Sequence, residues 1–280
     1  MQSLNGKTVL ITGATDGLGK EVAKRAAAAG ASLILHGRNS AKGEQVVQEI
    51  KAATGAEGIV YYNADFASLE EVEQLCEKVL AHHSALHVLI NNAAVGGGPK
   101  DSSPRELSKD GYELRFAVNY LSHFLLTQAL LPLLKASAPS RIVNVSSIGQ
   151  SPLRFDDMQL EKGYNSFDAY CKSKLAQILY GFSLAEKLRG TGVTVNSLHP
   201  ASLMDTNMVH DYFGRVSSSV QEGAHVVMHV AFADAAKDTT GAYFNQMKPA
   251  RAHAQAYDEG ARKKLWQLSE QWTKAYRNIE

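Results

Sequence analysis

Tyr170 and Lys174 stand four residues apart in the run Tyr170-Cys171-Lys172-Ser173-Lys174. On a helix that spacing puts both on one face, an ammonium beside a phenol. A free tyrosine, with a pKa of ~10, keeps its proton at neutral pH; a fixed positive charge nearby favours the phenolate and lowers that value. Such a pair can take or give a proton. The same spacing also decorates ordinary surface helices, so the chemistry depends on whether a cofactor site, an oxyanion donor and a substrate pocket accompany it.

The elements that would position the pair alternate along the chain. Short apolar or β-branched runs at 8–11, 32–36, 59–64, 87–91, 141–145 and 193–198 are separated by amphipathic stretches at 20–29, 41–53, 69–81, 112–135 and 169–189, and 242–245 reads as a further strand. Runs apolar on both faces and joined by helices form a parallel sheet covered on each side, so a doubly wound α/β sheet of about seven strands is expected. The 280 residues carry no Pro/Gly/Ser-rich linker and read as a single domain.

The first strand runs into Thr12-Gly13-Ala14-Thr15-Asp16-Gly17-Leu18-Gly19 and then a helix. Backbone N–H groups and the helix dipole suit a pyrophosphate there, and glycines let phosphates approach the backbone. A tight connection alone would also use glycine, but a strand before and a helix after favour dinucleotide binding, with Gly13, Thr15, Asp16, Gly17, Leu18 and Gly19 as candidate contacts. Where an NAD site offers an acid to the ribose, the second strand ends in His36-Gly37-Arg38-Asn39, and no acidic residue occurs between Glu21 and Glu44. Arg38, beside Asn39, can meet a 2'-phosphate with its planar donor fork. NADP(H) is therefore preferred; NAD(H) stays open, because Asp16 adds a negative charge to the same region. Asp65 and Phe66 close the third strand within reach of an adenine edge, and Asn91-Asn92-Ala93-Ala94 close the fourth, with Asn91 and Ala93 as candidate contacts and the two amides able to tie neighbouring strands. Carboxyl ends of strands are where open α/β sheets bind ligands.

Twenty-nine Lys and Arg against 28 Asp and Glu leave a formal charge of +1, without the basic excess of a nucleic-acid binder. Cys76 and Cys171 are too far apart for a ligand-like spacing and suggest a reducing compartment. His225 and His229 lack a third ligand or an HExxH pattern, so no metal is expected. Met1 to Lys7 leave no room for a signal peptide, and the apolar segment 121–134, interrupted by polar residues and Pro132, falls short of the ~20 residues that span a bilayer. A cytoplasmic protein without a membrane span is the expectation.

The glycine pattern 12–19, Asn91-Asn92-Ala93-Ala94, Val145-Ser146-Ser147 and Tyr170-x-x-x-Lys174 stand in an order and spacing that resembles the short-chain dehydrogenase/reductase family, over nearly the whole chain. Residues 116–124, 170–176 and 265–270 are similar to its retinol-dehydrogenase-like branch. The resemblance implies a Rossmann-type fold and shared chemistry for Tyr170, Lys174, Ser147 and Asn119. Tyr170 would be the acid/base. Ser147, the second serine of its pair, would donate to the substrate oxygen; a turn hydroxyl bonded to local backbone is its other reading. Lys174 would lower the Tyr170 pKa and hold the nicotinamide ribose. Asn119 would order a helix and a water relaying protons to Lys174, or be merely structural. The segment His199-Pro200-Ala201-Ser202-Leu203-Met204-Asp205-Thr206 resembles the family's nicotinamide contact, with Ala201 in place of glycine and an extra residue before Thr206; Leu203 and Thr206 are candidate contacts.

Met204, Met208, Val209, Tyr212 and Phe213, with Phe155, Tyr164 and Phe167, fall in segments 151–167 and 201–220 that would cover a lipophilic substrate. The functional expectation is NADPH-preferring reduction of an aldehyde or ketone, or the reverse oxidation. The rivals are an NAD-dependent secondary-alcohol dehydrogenase and a non-catalytic dinucleotide sensor or scaffold, which would be expected to have lost Tyr170 or Lys174. As in many members of that family, faces of 112–135 and 169–189 could pair with a second subunit to make a homodimer or homotetramer.

Overall fold

The computed structural model describes residues 3–97, 104–213 and 215–276. The first half is β1 (Thr8–Ile11), α1 (Gly17–Ala28), β2 (Ser32–Gly37), α2 (Ser40–Thr54), β3 (Ile59–Asn63), α3 (Leu69–His82) and β4 (Val88–Asn91). After it come α4 (Leu114–Phe116), α5 (Ser122–Ala136), β5 (Ser140–Val145), α6 (Ser166–Lys187) and β6 (Val193–His199). The chain ends with α7 (Asn207–Phe213), α8 (Val220–Phe232), β7 (Ala242–Asn245), β8 (Lys248–Ala250) and α9 (Glu259–Thr273).

Alternation along the strands sends side chains to both faces, and both are buried. Val9, Ile11, Leu33 and Leu35 pack under α1, α2 and α8, whereas Leu10, Ile34 and Leu89 pack under α3, α5 and α6. The strands run in the order β3-β2-β1-β4-β5-β6-β7-β8, parallel except for the last pair. Order reverses between β1 and β4, and such a switch opens a crevice at the carboxyl ends of the strands. The count of about seven strands is corrected to eight: β8 is a three-residue antiparallel edge whose Pro249 pairs with Phe244, too short and too poor in alternation to announce itself.

The stretch 112–135 is not one regular helix. Between α4 and α5 the backbone makes a π-helical turn, Ala117–Leu121, whose wider loop carries Asn119. Taken together, Leu114–Ala136 is the one helical run among the described residues long and apolar enough to cross a membrane, longer than the segment read from sequence; 72% of its most apolar window is buried inside the fold, the packing of a core helix.

α9 packs against α5 and α6, the two helices whose faces are expected to offer a surface to a second subunit. Trp266 stacks on Tyr180 at 5.6 Å between ring centroids and meets Phe124 edge-on at 5.5 Å, while Trp272 meets Phe116 edge-on at 5.6 Å. Tyr120 and Ser269 share a buried hydrogen bond of 2.7 Å, and Arg262 pairs with Glu186 at 2.7 Å. Trp266→Ala is expected to cost about 2 kcal/mol, below the fully buried range because Trp266 is half-buried, and to give a light-scattering mass that rises with concentration as the aromatic face opens. Unchanged stability and a constant mass would show that α9 does not protect this face.

Candidate active site

The glycine turn lies at the carboxyl end of β1, and its glycines are required by contact as well as by conformation. Gly13 has φ +65°, and a Cβ there would sit 2.8 Å from the Ala93 backbone. At Gly19 a Cβ would stand 2.2 Å from the Gly13 carbonyl oxygen and 2.6 Å from the Asn92 amide nitrogen. The Asp16 carboxylate caps α1 by accepting from Gly17 N–H at 2.7 Å, and it also receives the Asn207 amide. Thr15 lies against Gly37, and the Thr206 methyl lies against Gly17, where a Cβ would be 3.0 Å away. Leu18, by contrast, turns its side chain into the core, which leaves only its backbone for a ligand. This cradle has first-turn amides without helical partners, and backbone is exposed where any Cβ would fill the space. It fits a dinucleotide pyrophosphate.

Other candidate contacts are occupied elsewhere. Phe66 is buried, with its ring stacked on His36 at 4.1 Å. Asp65 is turned to local backbone, accepting from Ala67 N–H at 3.0 Å. Asn39 caps α2 through Lys42 N–H at 2.9 Å. Asn91 is fully buried and donates to Asn144 and Thr127, and Asn92 donates to the carbonyls of Thr12 and Gly13. Both amides are struts between strands, because a polar group inside the sheet must find its partners there. Ala93 lies against the turn with its N–H on Thr12 Oγ1 at 2.9 Å. Arg38 is exposed immediately after Gly37, which touches Thr15 of the turn. Leu203 adopts φ +48°, and its carbonyl accepts from Ser217 N–H at 3.0 Å.

Tyr170 and Lys174 sit in the first half of α6, which Asn165 caps. The Ser147 hydroxyl lies near the Tyr170 phenol and accepts from Gly149 N–H at 3.0 Å. Ser146 is turned away to the Lys174 carbonyl at 2.7 Å. Lys174 Nζ lies 5.7 Å from the Tyr170 ring centre and donates to the Val145 carbonyl at 2.9 Å and Gln177 Oε1 at 3.1 Å. Burial pushes Tyr170 up to about 12, against a lowering by Ser147, and burial pushes Lys174 down to about 7. Loss of solvent penalises the charged form of each group, and Lys174 points its ammonium at the Val145 and Gln177 oxygens. The Asn119 side-chain oxygen accepts from Val95 N–H at 2.7 Å, and its nitrogen donates to the Val95 carbonyl at 3.0 Å and to Ser173 at 2.9 Å, tying the exit of β4 to α6.

Of the aromatic residues expected to cover substrate whose side chains are described, only Phe167 flanks the centre: it is 45% exposed and stacks on Tyr170 at 6.3 Å. Ile148, next to Ser147 in the chain, is an apolar side chain 58% exposed. Phe155 packs against the core with Lys264 over its ring, and Tyr164 belongs to a buried polar cluster, giving its hydroxyl to Glu113 at 2.9 Å and receiving Arg115 at 2.8 Å. Met204 packs under α8 beside Gly223, and Val209 is buried; the side chains of Tyr212 and Phe213 lie outside the described residues. Among the described residues no three His, Cys, Asp or Glu side chains gather to hold a metal ion.

A glycine cradle at the switch point of a parallel sheet, with a serine and a tyrosine at the neighbouring strand end, defines a dinucleotide-dependent oxidoreductase architecture. The family model described as short chain dehydrogenase matches residues 7–217. Human retinol dehydrogenase 11 is 39% identical over 276 residues, which span 95% of this chain and 85% of that protein. The structure of an uncharacterized protein from Mycobacterium Paratuberculosis superimposes with a TM-score of 0.80 at 29% identity, covering 98% of this chain and 96% of that one. A short chain dehydrogenase from Shigella flexneri complexed with NADP superimposes at 0.71 and 27% identity, covering 89% and 100%. The chain belongs to the short-chain dehydrogenase/reductase family, and within it is retinol-dehydrogenase-like. It is an NAD(P)(H)-dependent dehydrogenase/reductase acting on CH–OH or C=O groups.

Proposed function

We propose that this protein uses NADPH to reduce a lipophilic aldehyde or ketone, with Tyr170 as the proton donor. The observation that carries the reading is that Ser147 lies near enough to the Tyr170 phenol to lower its pKa, against burial that holds the phenol up to about 12. A tyrosine that keeps its proton at neutral pH is in the form needed to deliver one. When bound, a reduced dinucleotide would supply a hydride to the carbonyl carbon. Ser147 orients the carbonyl oxygen and stabilises the charge that develops on it, and Tyr170 passes its proton to that oxygen. Lys174, held by Val145 and Gln177, stands beside the Tyr170 ring, placed to meet the nicotinamide ribose. Phe167 and Ile148 exclude water around the oxygen and favour an apolar substrate. That retinol dehydrogenase 11 is named for a lipophilic alcohol supports the same substrate class.

Titrating the purified protein with NADPH and NADH, then following cofactor oxidation across a panel of aldehydes and ketones, tests the reading. Tight NADPH binding with turnover of apolar carbonyls is the expected result; binding without turnover of any of them would point to a sensor. Arg38→Ala is expected to weaken NADPH about tenfold and NADH by less than twofold, because only the former carries a 2'-phosphate for the guanidinium fork. Equal losses would remove Arg38 from cofactor choice and favour the NAD-linked dehydrogenase.

A further inference from the structure

Two histidines that no catalytic step uses are buried side by side behind the glycine cradle. His36 stacks on one face of Phe66 at 4.1 Å, and His123 meets the same ring edge-on at 5.2 Å. Their protonation follows from their partners. Thr12 Oγ1 accepts the N–H groups of Asn92 at 2.8 Å and Ala93 at 2.9 Å. Those bonds use both lone pairs of the hydroxyl, so His123 Nε2, 3.0 Å away, cannot donate to it and must accept its proton. His123 Nδ1 then carries the ring proton and donates it to the Asn119 carbonyl at 3.0 Å. On the other side of Phe66 the tautomer is reversed: His36 Nδ1 accepts from Gly13 N–H at 3.4 Å, and Nε2–H donates to the Ala64 carbonyl at 2.9 Å.

We propose that His123 is a positioning residue for the dinucleotide site, its Nε2 locking the Thr12 hydroxyl so that the glycine turn and the Asn92-Ala93 strand end keep the spacing the cofactor needs. Without that acceptor the hydroxyl rotates to its alternative partner, the Ile90 carbonyl at 3.4 Å, and no longer presents both lone pairs to the two amides. The Gly13–Ala93 approach, too close for any Cβ, then loses the hydroxyl that ties it. The inference rests on dinucleotide binding by this cradle, so the wild-type titration is part of its test.

The full chain and three variants are titrated calorimetrically with NADPH and NADH, with thermal unfolding recorded without cofactor. His123→Leu is expected to weaken both cofactors about tenfold, because it removes one buried hydrogen bond to the turn. His123→Gln reaches the Nε2 position with an amide oxygen and is expected to recover affinity to within about threefold. His123→Asn reaches only the Nδ1 position, serves the Asn119 carbonyl alone, and should stay as weak as His123→Leu. A role in packing alone would follow side-chain volume and leave His123→Leu tighter than the smaller His123→Asn. Wild-type affinity in folded His123→Leu, equal rescue by Gln and Asn, or a His123→Gln chain that does not fold would each overturn the proposal. If His123→Leu alone does not fold, the Gln-against-Asn comparison decides. A wild-type chain that binds neither cofactor would instead overturn the dinucleotide reading beneath it.

Discussion

Tyr170→Phe folds, binds the dinucleotide and loses at least about a hundredfold in turnover of the preferred carbonyl, the scale on which positioned general acids act. That loss corresponds to about 2.7 kcal/mol of transition-state stabilisation. Folding is spared because the ring, half-buried and stacked on Phe167, stays in place, and the hydroxyl leaves behind only Ser147, which still accepts from Gly149 N–H at 3.0 Å. Cofactor binding is spared because the glycine cradle makes no contact with the phenol oxygen. The measurement is a pair: NADPH affinity by calorimetry and turnover at saturating cofactor. With the phenol pushed up to about 12, wild-type reduction should show no Tyr170 ionisation across the neutral range, so the variant's deficit should be constant from pH 6 to pH 9. A variant that turns over within threefold of wild type would remove Tyr170 from proton delivery. A variant with normal affinity and a deficit confined to alkaline pH would reassign it to an electrostatic role.

Much of the frame behind that prediction is written in local pattern. The parallel strands announce themselves because both of their faces are buried and a run such as Val9-Leu10-Ile11 has nowhere polar to point. The glycine turn is legible because Gly13 and Gly19 sit where a side chain would strike backbone, a constraint that leaves its mark in residue type. What is illegible depends on long-range partners. Phe66 looks like a loop aromatic until His36 and His123 close around it, and Tyr164 looks like a substrate contact until Glu113 and Arg115 bury beside it. The π-helical turn at Ala117–Leu121 leaves no periodic trace, since one extra residue in a helical turn changes the face of every residue after it without changing composition. The spacing of Tyr170 and Lys174 is correctly a shared face, yet their charge states depend on burial, which no spacing encodes.

Lowering the pH from 7 to 5 is expected to cost the protein about 4 kcal/mol of stability through His36 and His123 and about 2 kcal/mol more through His199, which burial also pushes down to about 4. Burial pushes His36 down to about 4 and His123 down to about 3, whereas an unfolded histidine titrates near ~6.5. The groups around them adjust these values without reversing them: Asp65 and the Ala64 carbonyl raise His36, the Asn119 carbonyl raises His123, and Lys174 and His36 lower it further. Because the folded values are depressed, the unfolded chain binds more protons below ~6.5, so the neutral rings stabilise the fold fully above that pH and progressively less as it falls towards 4 and 3. At pH 5 each ring has forfeited about 2 kcal/mol, against a total stability on the order of 5–15 kcal/mol. Carboxylates near their ordinary pKa of ~4 remain ionised at pH 5, so the window isolates the histidines. Urea unfolding at pH 7, 6 and 5 reads the effect directly, and equal midpoints at pH 7 and pH 5 would contradict it. Protonation also has a local consequence. A charged His36 can no longer accept from Gly13, and a charged His123 can no longer accept from Thr12, so in molecules that are still folded NADPH affinity should hold from pH 7 to pH 5 and weaken only as the pH falls towards 4 and 3.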